Sequence, residues 1–407
     1  MIEAVFLLIG VIIFVGFFSM LFFERTKIPD VLILMFVGLA LGSVLSERQV
    51  SLFSEMAPYV GALALMMILF DGGLNLNLVK VMKELGEASF FTLTVFIFTC
   101  FFVMNLMHYA FGWGFFQGLL LGATVGGTSS AIVISTVSRI SVSEASKIIL
   151  DLESAINDAL CIVVSLAIIE MMLFNQINVR DSLGSLTGTF SVAIVIALVS
   201  SVLWIGVLKR FHGKPFGYLL TIAVIFIMYS IVEFLRGNGA ISVFVFGLIL
   251  GNVRYLWELL RLDDVVSLDA TIKSFQKEAA FFVRTFFFVY IGIIFNMSAF
   301  NINVLNISLA VLAVILLARF MSVKLISLKN KSLKCDEAIL ATMLPRGLVA
   351  AVLASVPLSR GVSISYFSEI IFLIIILTNI TATIGAFAYE RRRIRAVKAA
   401  STTLQSR

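Results

Sequence analysis

Long apolar stretches separated by short polar connections run from one end of the chain to the other. A helix needs about 20 mostly apolar residues to cross the hydrocarbon of a bilayer. On that measure the pattern predicts thirteen spans: 2–23, 29–45, 57–78, 85–107, 114–138, 145–174, 187–208, 216–236, 239–255, 279–297, 304–326, 334–358 and 365–390. The first lacks a basic leading region and a small-residue cleavage site, so it is expected to stay as a span and not to be removed as a signal peptide.

The charged positions give these spans a direction. Alternate connections hold Arg25/Lys27, Lys80/Lys83, Arg139/Lys147, Lys209/Arg210/Lys214, Arg254/Arg261/Lys273/Lys277 and Lys324/Lys329/Lys331/Lys334, and the tail after span thirteen adds Arg391, Arg392, Arg393, Arg395, Lys398 and Arg407. That places 23 of the 30 basic residues on one side, against Arg48, Arg180, Arg236 and Arg360 on the other. Basic residues mark the cytoplasmic side, so the expectation is a multi-pass cell-membrane protein with its N-terminus outside and its C-terminus in the cytoplasm. The same sorting explains the net charge of +6 without a nucleic-acid partner.

Composition excludes the other classes. The chain is 60% hydrophobic and only 13% charged, with a mean hydropathy of +1.09, far too oily for a soluble enzyme or a disordered segment. Cys100, Cys161 and Cys335 are scattered, which suggests neither a disulfide framework nor a zinc site. His108 and His212 lie at segment ends and read as incidental. No cofactor is implied.

Two glycine pairs hint at duplication. Span two holds Phe36-Val37-Gly38-Leu39-Ala40-Leu41-Gly42 and span nine holds Val245-Phe246-Gly247-Leu248-Ile249-Leu250-Gly251. Spans one to six then match spans eight to thirteen with an odd offset, so the halves insert in opposite senses. Inverted repeats are the layout of many secondary transporters, whose sites form where corresponding helices break near mid-membrane. Span five offers Gly126-Gly127-Thr128-Ser129-Ser130 and span twelve, its counterpart, Leu344-Pro345-Arg346-Gly347. Paired glycines weaken a helix, and proline removes a donor and crowds the preceding turn.

Charges inside the spans are the candidate chemistry. Span six reads Asp151-Leu152-Glu153-Ser154-Ala155-Ile156-Asn157-Asp158, and Asp158 falls about 20 Å along it, near mid-bilayer. An intramembrane carboxylate is expensive and is a functional candidate by default. Asp151, Ser154 and Asp158 share one helix face, with Glu153 and Asn157 on the neighbouring stripe. One carboxylate that holds either a proton or a metal ion suits proton–cation exchange. Oxygens from Asp158, Ser154 and Thr128 suit a hard monovalent ion such as Na⁺ or Li⁺. Arg319, in span eleven, needs a counter-charge, for which Glu153 is the first choice. Arg346, at the second break, reads either as a path charge or as a cap for freed carbonyls. Arg284 could snorkel to the interface. Asp71 reads as a helix-end or funnel charge.

Glu153-Ser154-Ala155-Ile156-Asn157-Asp158 resembles the E-S-x-x-N-D signature of monovalent cation:proton antiporters of the NhaP/NHE type. Asp71-Gly72-Gly73-Leu74, Ala318-Arg319 and Pro345-Arg346-Gly347 resemble further family segments, so the likeness runs over nearly the whole chain. It implies an all-α polytopic fold of about thirteen transmembrane helices with inverted repeats and two broken helices, usually as a homodimer in the lipid bilayer. It implies a scaffold and dimer part near 2–78 and 216–297, a moving core near 85–174 and 304–390, and a short basic cytoplasmic tail, 391–407. Asp158 would be the shared ion and proton ligand, Asn157 its orienting neighbour, Ser154 and Thr128 further oxygens, and Glu153 the partner of Arg319.

One departure stands out. The family's broken helix usually reads T-D-P, whereas here Thr128-Ser129-Ser130 lacks both the carboxylate and the proline, and Ser129-Ser130-Ala131-Ile132-Val133 looks like a KefC-like branch. Ser129 thus stands at a ligand position with one negative charge fewer. The expected function is electroneutral Na⁺/H⁺ antiport by alternating access in pH homeostasis, a transporter and not an enzyme. A KefC-like K⁺ efflux or K⁺:H⁺ exchange system is the alternative, although the tail holds no nucleotide-binding motif. An intramembrane aspartyl enzyme recruiting Asp71 is the remote one.

Overall fold

The computed structural model describes residues 2–26, 28–76, 78–79, 86–137, 140, 142–174, 179–210, 217–255, 270–295 and 301–405. Lys27, Lys80, Lys83, Arg139, Lys214, Arg261 and Arg407, used above for the topology, lie outside the described residues. So do the side chains of Arg48, Arg180, Lys273, Lys277, Arg395 and Lys398.

Every described element is helical. In chain order these are α1 (Ile2–Thr26), α2 (Asp30–Val44), α3 (Glu47–Asn75), α4 (Glu87–Phe111), α5 (Phe115–Thr124), α6 (Ser130–Val137), α7 (Glu144–Phe174), α8 (Val179–Arg210), α9 (Gly217–Phe234), α10 (Gly239–Gly251), α11 (Ala270–Ile294) and α12 (Ile302–Lys329). A 3₁₀ turn (Lys331–Asp336) then leads into α13 (Glu337–Thr342), α14 (Leu348–Ser359) and α15 (Phe367–Gln405). Among the described residues seven helices are long and apolar enough to cross a membrane, and shorter apolar helices fall in the second, third, fifth, ninth and twelfth expected spans. Large apolar side chains point outward as well as inward: Phe14, Phe18, Leu203, Ile227 and Phe234 are all more than half exposed. Such an oily exterior has its natural solvent in lipid.

The two glycine pairs set the central crossings. A Cβ on Gly38 would lie 2.2 Å from the Val289 carbonyl of α11, and one on Gly251 would lie 2.2 Å from the Leu74 carbonyl of α3. Only glycine allows backbones this close. In the repeat scheme, span two therefore packs on span ten and span nine on span three, so each half lends its second helix to the other half's third.

Two groups of helices result. In one, α2, α3, α10 and α11 pack together, with α1 against α2 and α11, and α8 and α9 against α10. In the other, α4 packs on α5, α7 and α12, while α15 packs on α12, α13 and α14. The groups meet chiefly where α14 lies on α3. A Cβ on Gly61 of α3 would sit 2.8 Å from the Ser355 hydroxyl of α14, which shows how tight that seam is.

Candidate functional site

Spans five and twelve are both interrupted. The chain leaves helical geometry between Thr124 and Ser130, and again between Thr342 and Leu348. The interruptions cross and hold each other: the Ser129 N–H donates to the Pro345 carbonyl at 2.8 Å. A Cβ on Gly347 would lie 2.3 Å from the Ser129 hydroxyl, so glycine is what lets the two strands touch. Backbone groups freed by the second break are taken up by α15. The Arg346 N–H donates to Thr378 at 3.1 Å, and the Arg346 carbonyl accepts from the Asn379 amide at 2.7 Å.

Beside the crossing, Glu153 and Arg319 meet in a bidentate pair at 2.7 and 2.9 Å, both essentially inaccessible to solvent. The remaining capacity of each is used. Arg319 Nε donates to the Leu340 carbonyl at 2.7 Å, and its guanidinium lies 5.5 Å from the centre of the Phe91 ring. Glu153 Oε1 also accepts from the Asn157 amide at 3.0 Å and the Thr128 hydroxyl at 3.2 Å. A buried ion pair survives only when its leftover donors and acceptors are satisfied in this way.

Asp158 has a different setting. Its Oδ2 accepts from the Ser130 hydroxyl at 2.7 Å and faces the Ser130 N–H at 3.5 Å, at the N-terminus of α6. It lines a cavity of 370 Å³ together with Ser129, Ser130, Asp71, Asn75 and Arg284. The cavity runs between the two groups of helices: Asp71 and Asn75 close α3, Arg284 belongs to α11, and Leu348 and Val349 begin α14. Two half-helix N-termini, those of α6 and α14, therefore reach the space that holds the carboxylate. The positive end of a helix dipole favours negative charge there.

The other expected residues are placed as follows. Ser154 is fully buried and donates to the Asp151 carbonyl at 3.1 Å, while the cavity face of α7 is built from Ala155, Asp158, Ala159 and Ile162. Asn157 is fully buried, with its Oδ1 unpartnered. Arg346 is 1% exposed, and its Nε, Nη1 and Nη2 have no hydrogen-bond partner. With Arg319 it is the largest fully buried side chain among the described residues. Asp71 lines the cavity and accepts from the Asn75 amide at 2.9 Å.

Arg284, 23% exposed, reaches back toward the start of α2. It pairs there with Asp30 at 2.9 Å, because the α2–α11 crossing brings a nearby carboxylate to it. Sequence reasoning missed Ser130, whose signal was its place as the first helical residue after the break. It also missed Thr378 and Asn379, which stand out as a polar pair in apolar span thirteen.

Comparison with known proteins gives the family and supports the fold. The family profile described as "Sodium/hydrogen exchanger, transmembrane" matches residues 9–389. The chain is 26% identical over 289 residues to the Na⁺/H⁺ antiporter 1 of Methanocaldococcus jannaschii, covering 68% of this chain and 65% of that one. It is 23% identical over 261 residues to the K⁺/H⁺ antiporter NhaP of Alkalimonas amylolytica (61% and 44%). Against the K⁺/H⁺ antiporter NhaP2 of a Shewanella strain it is 29% identical over 236 residues (56% and 40%). The chain thus matches less than two thirds of the length of each of these relatives. Its fold is similar to that of the sodium proton antiporter MjNhaP1 from M. jannaschii at pH 8, with a TM-score of 0.76, 23% identity and coverage of 94% of this chain and 99% of that one.

Proposed function

The chain belongs to the sodium/hydrogen exchanger family, and we propose that it is a secondary active antiporter exchanging one monovalent cation for one proton, with Asp158 binding each in turn. The observation that carries this reading is the environment of Asp158. It is the acidic residue of the crossed-helix region that faces the cavity, whereas Glu153 is locked by Arg319 and Ser129 replaces a second carboxylate. One free carboxylate gives one-for-one, electroneutral exchange.

Deprotonated Asp158 would take the cation between its own oxygens and the Ser130 hydroxyl. Thr128 and Ser154, whose hydroxyls donate to Glu153 and to the Asp151 carbonyl away from the cavity, would turn toward Asp158 to add further oxygens. Asn157 orients the site from the neighbouring stripe. Protonation of Asp158 removes the charge that holds the cation, so the two compete for one position. Arg346, buried beside the crossing, is the proposed path charge that keeps the empty site from being strongly negative.

Alternating access would move the core (85–174 and 304–390) against the scaffold (2–78 and 216–297). By the basic-residue topology, the Asp71 end of the cavity would face the cytoplasm, and this conformation would be the inward-open one. Na⁺ is the proposed ion. The hydroxyl-rich break with one carboxylate favours K⁺ as the second reading, because a weaker field penalises the larger ion least. The test is dissipation of a pH gradient in proteoliposomes with Na⁺, Li⁺ and K⁺ compared, with and without an imposed voltage. Asp158→Asn is expected to abolish exchange while the protein still folds, and undiminished exchange in that variant sinks the assignment.

A further inference from the structure

We propose that Arg360, held between Glu170 and Glu233, is a latch that keeps the far side of the transport path closed in this conformation. This deepens the alternating-access reading and rests on it. The latch lies at the opposite end of the molecule from the cavity. Glu170 is twelve residues beyond Asp158 on α7, about 18 Å along the helix, and Arg360 follows α14 by a similar distance from cavity-lining Val349.

The network joins the two groups of helices. Arg360 Nη2 contacts Glu233 of α9 at 2.6 Å, and Nη1 lies 3.8 Å from Glu170 of α7. Asn238, which caps α10 by accepting from the Ile241 N–H at 3.0 Å, donates to Glu170 at 3.3 Å. By contrast, Arg319–Glu153 and Lys324–Glu337 stay within one group and Arg284–Asp30 within the other. Below the latch, Ser355 of α14 faces Gly61 of α3 across the seam between the two groups.

Exposure separates a latch from a fixture. The Glu153–Arg319 side chains are at most 1% exposed, so separating them would strand two dry charges. Arg360 and Glu233 are 23% and 29% exposed, and water solvates both once they part. Each also has a partner to keep. Arg360 retains Glu170 on its own side, and Glu233 retains the Gly239 N–H at 2.9 Å, at the positive N-terminus of α10. Two arrangements with similar bonding are what a reversible gate needs.

The experiment places a reporter thiol in the seam, Ser355→Cys, in the full chain carrying Cys335→Ala, which removes the exposed native thiol; Cys100 and Cys161 are buried. A membrane-impermeant maleimide is applied from the Arg360 side of proteoliposomes. Labelling is expected to be slow with Arg360 present and to rise up to about fivefold in Arg360→Ala and Glu233→Gln, the equilibrium shift that a part-exposed pair supports. Arg360→Lys, which keeps a positive charge between Glu170 and Glu233, is expected to hold the slow rate. Labelling at the parent rate in Glu233→Gln and in whichever of Arg360→Ala or Arg360→Gln folds overturns the latch, and a lowered melting temperature alongside it marks a structural clamp. Exchange is measured in the same vesicles: its absence in the parent chain refutes the antiport reading, while the labelling rates still decide the latch.

Discussion

Replacing Glu153 by glutamine changes almost no volume but removes the charge opposite Arg319. The guanidinium is 1% exposed and makes two of its three hydrogen bonds to that carboxylate. Breaking a buried pair from one side costs about 3–5 kcal/mol, because the surviving charge stays dry and unmatched. At about 2.1 cal/mol/K of unfolding entropy per residue, that loss lowers the melting temperature of a chain of 407 residues by about 4–6 °C. Arg319→Leu, which leaves the carboxylate alone, is expected to do the same. The double variant Glu153→Gln with Arg319→Leu should regain most of the loss: no charge remains, and the glutamine oxygen still accepts from Thr128 and Asn157. Melting of the purified protein in detergent, read as the loss of the monodisperse peak after heating, gives all four corners of the cycle. If Glu153→Gln melts like the parent, or if the double variant loses the sum of the two single effects, the pair is not the structural clasp described here.

Three further outcomes follow from the geometry. Ser130→Ala removes the hydroxyl donated to Asp158 at 2.7 Å; a hydrogen bond to a charged group is worth about 1.5–3 kcal/mol, so the cation concentration for half-maximal exchange should rise about tenfold or more while the melting temperature falls by no more than about 2–4 °C. Because proton and cation compete for Asp158, that concentration should also climb by up to about tenfold per pH unit on the acid side with the maximal rate unchanged; a fall in maximal rate alone would point to separate sites. Gly38→Val forces a side chain against the Val289 carbonyl and should destabilise by about 1–3 kcal/mol or more, whereas Gly10→Val, with nothing within 4 Å, should leave the melting temperature in place.

The helical membrane fold is legible in the sequence because the length of the apolar spans reports a constraint imposed by the bilayer. The crossing of the breaks is legible in outline, since glycine pairs and Pro345 weaken helices wherever they occur. The contact between Glu153 and Arg319 follows from the scarcity of intramembrane charge, which leaves each few partners. What stays hidden depends on distant geometry. Ser130 looks like Ser129 until the direction of the second half-helix is known, and Arg284 finds Asp30 only through a crossing of helices far apart in the chain. Glu170, Glu233 and Arg360 read as ordinary span-end charges, because nothing local shows that three different helices deliver them to one place.

The interleaved glycine crossings also govern how the protein is made. Gly38 needs α11 against it, yet Val289 leaves the ribosome 251 residues later, a wait of about 12–50 s at ordinary elongation rates. Over that interval α2 sits in the membrane with a bare glycine groove facing lipid or an insertion partner, and α3 awaits α10 in the same way. Neither half can complete its own packing, so the group of helices around α2, α3, α10 and α11 closes late and all at once. A ribosome stalled before α11 releases a chain whose first half is inserted but unfinished, a ready substrate for membrane quality control.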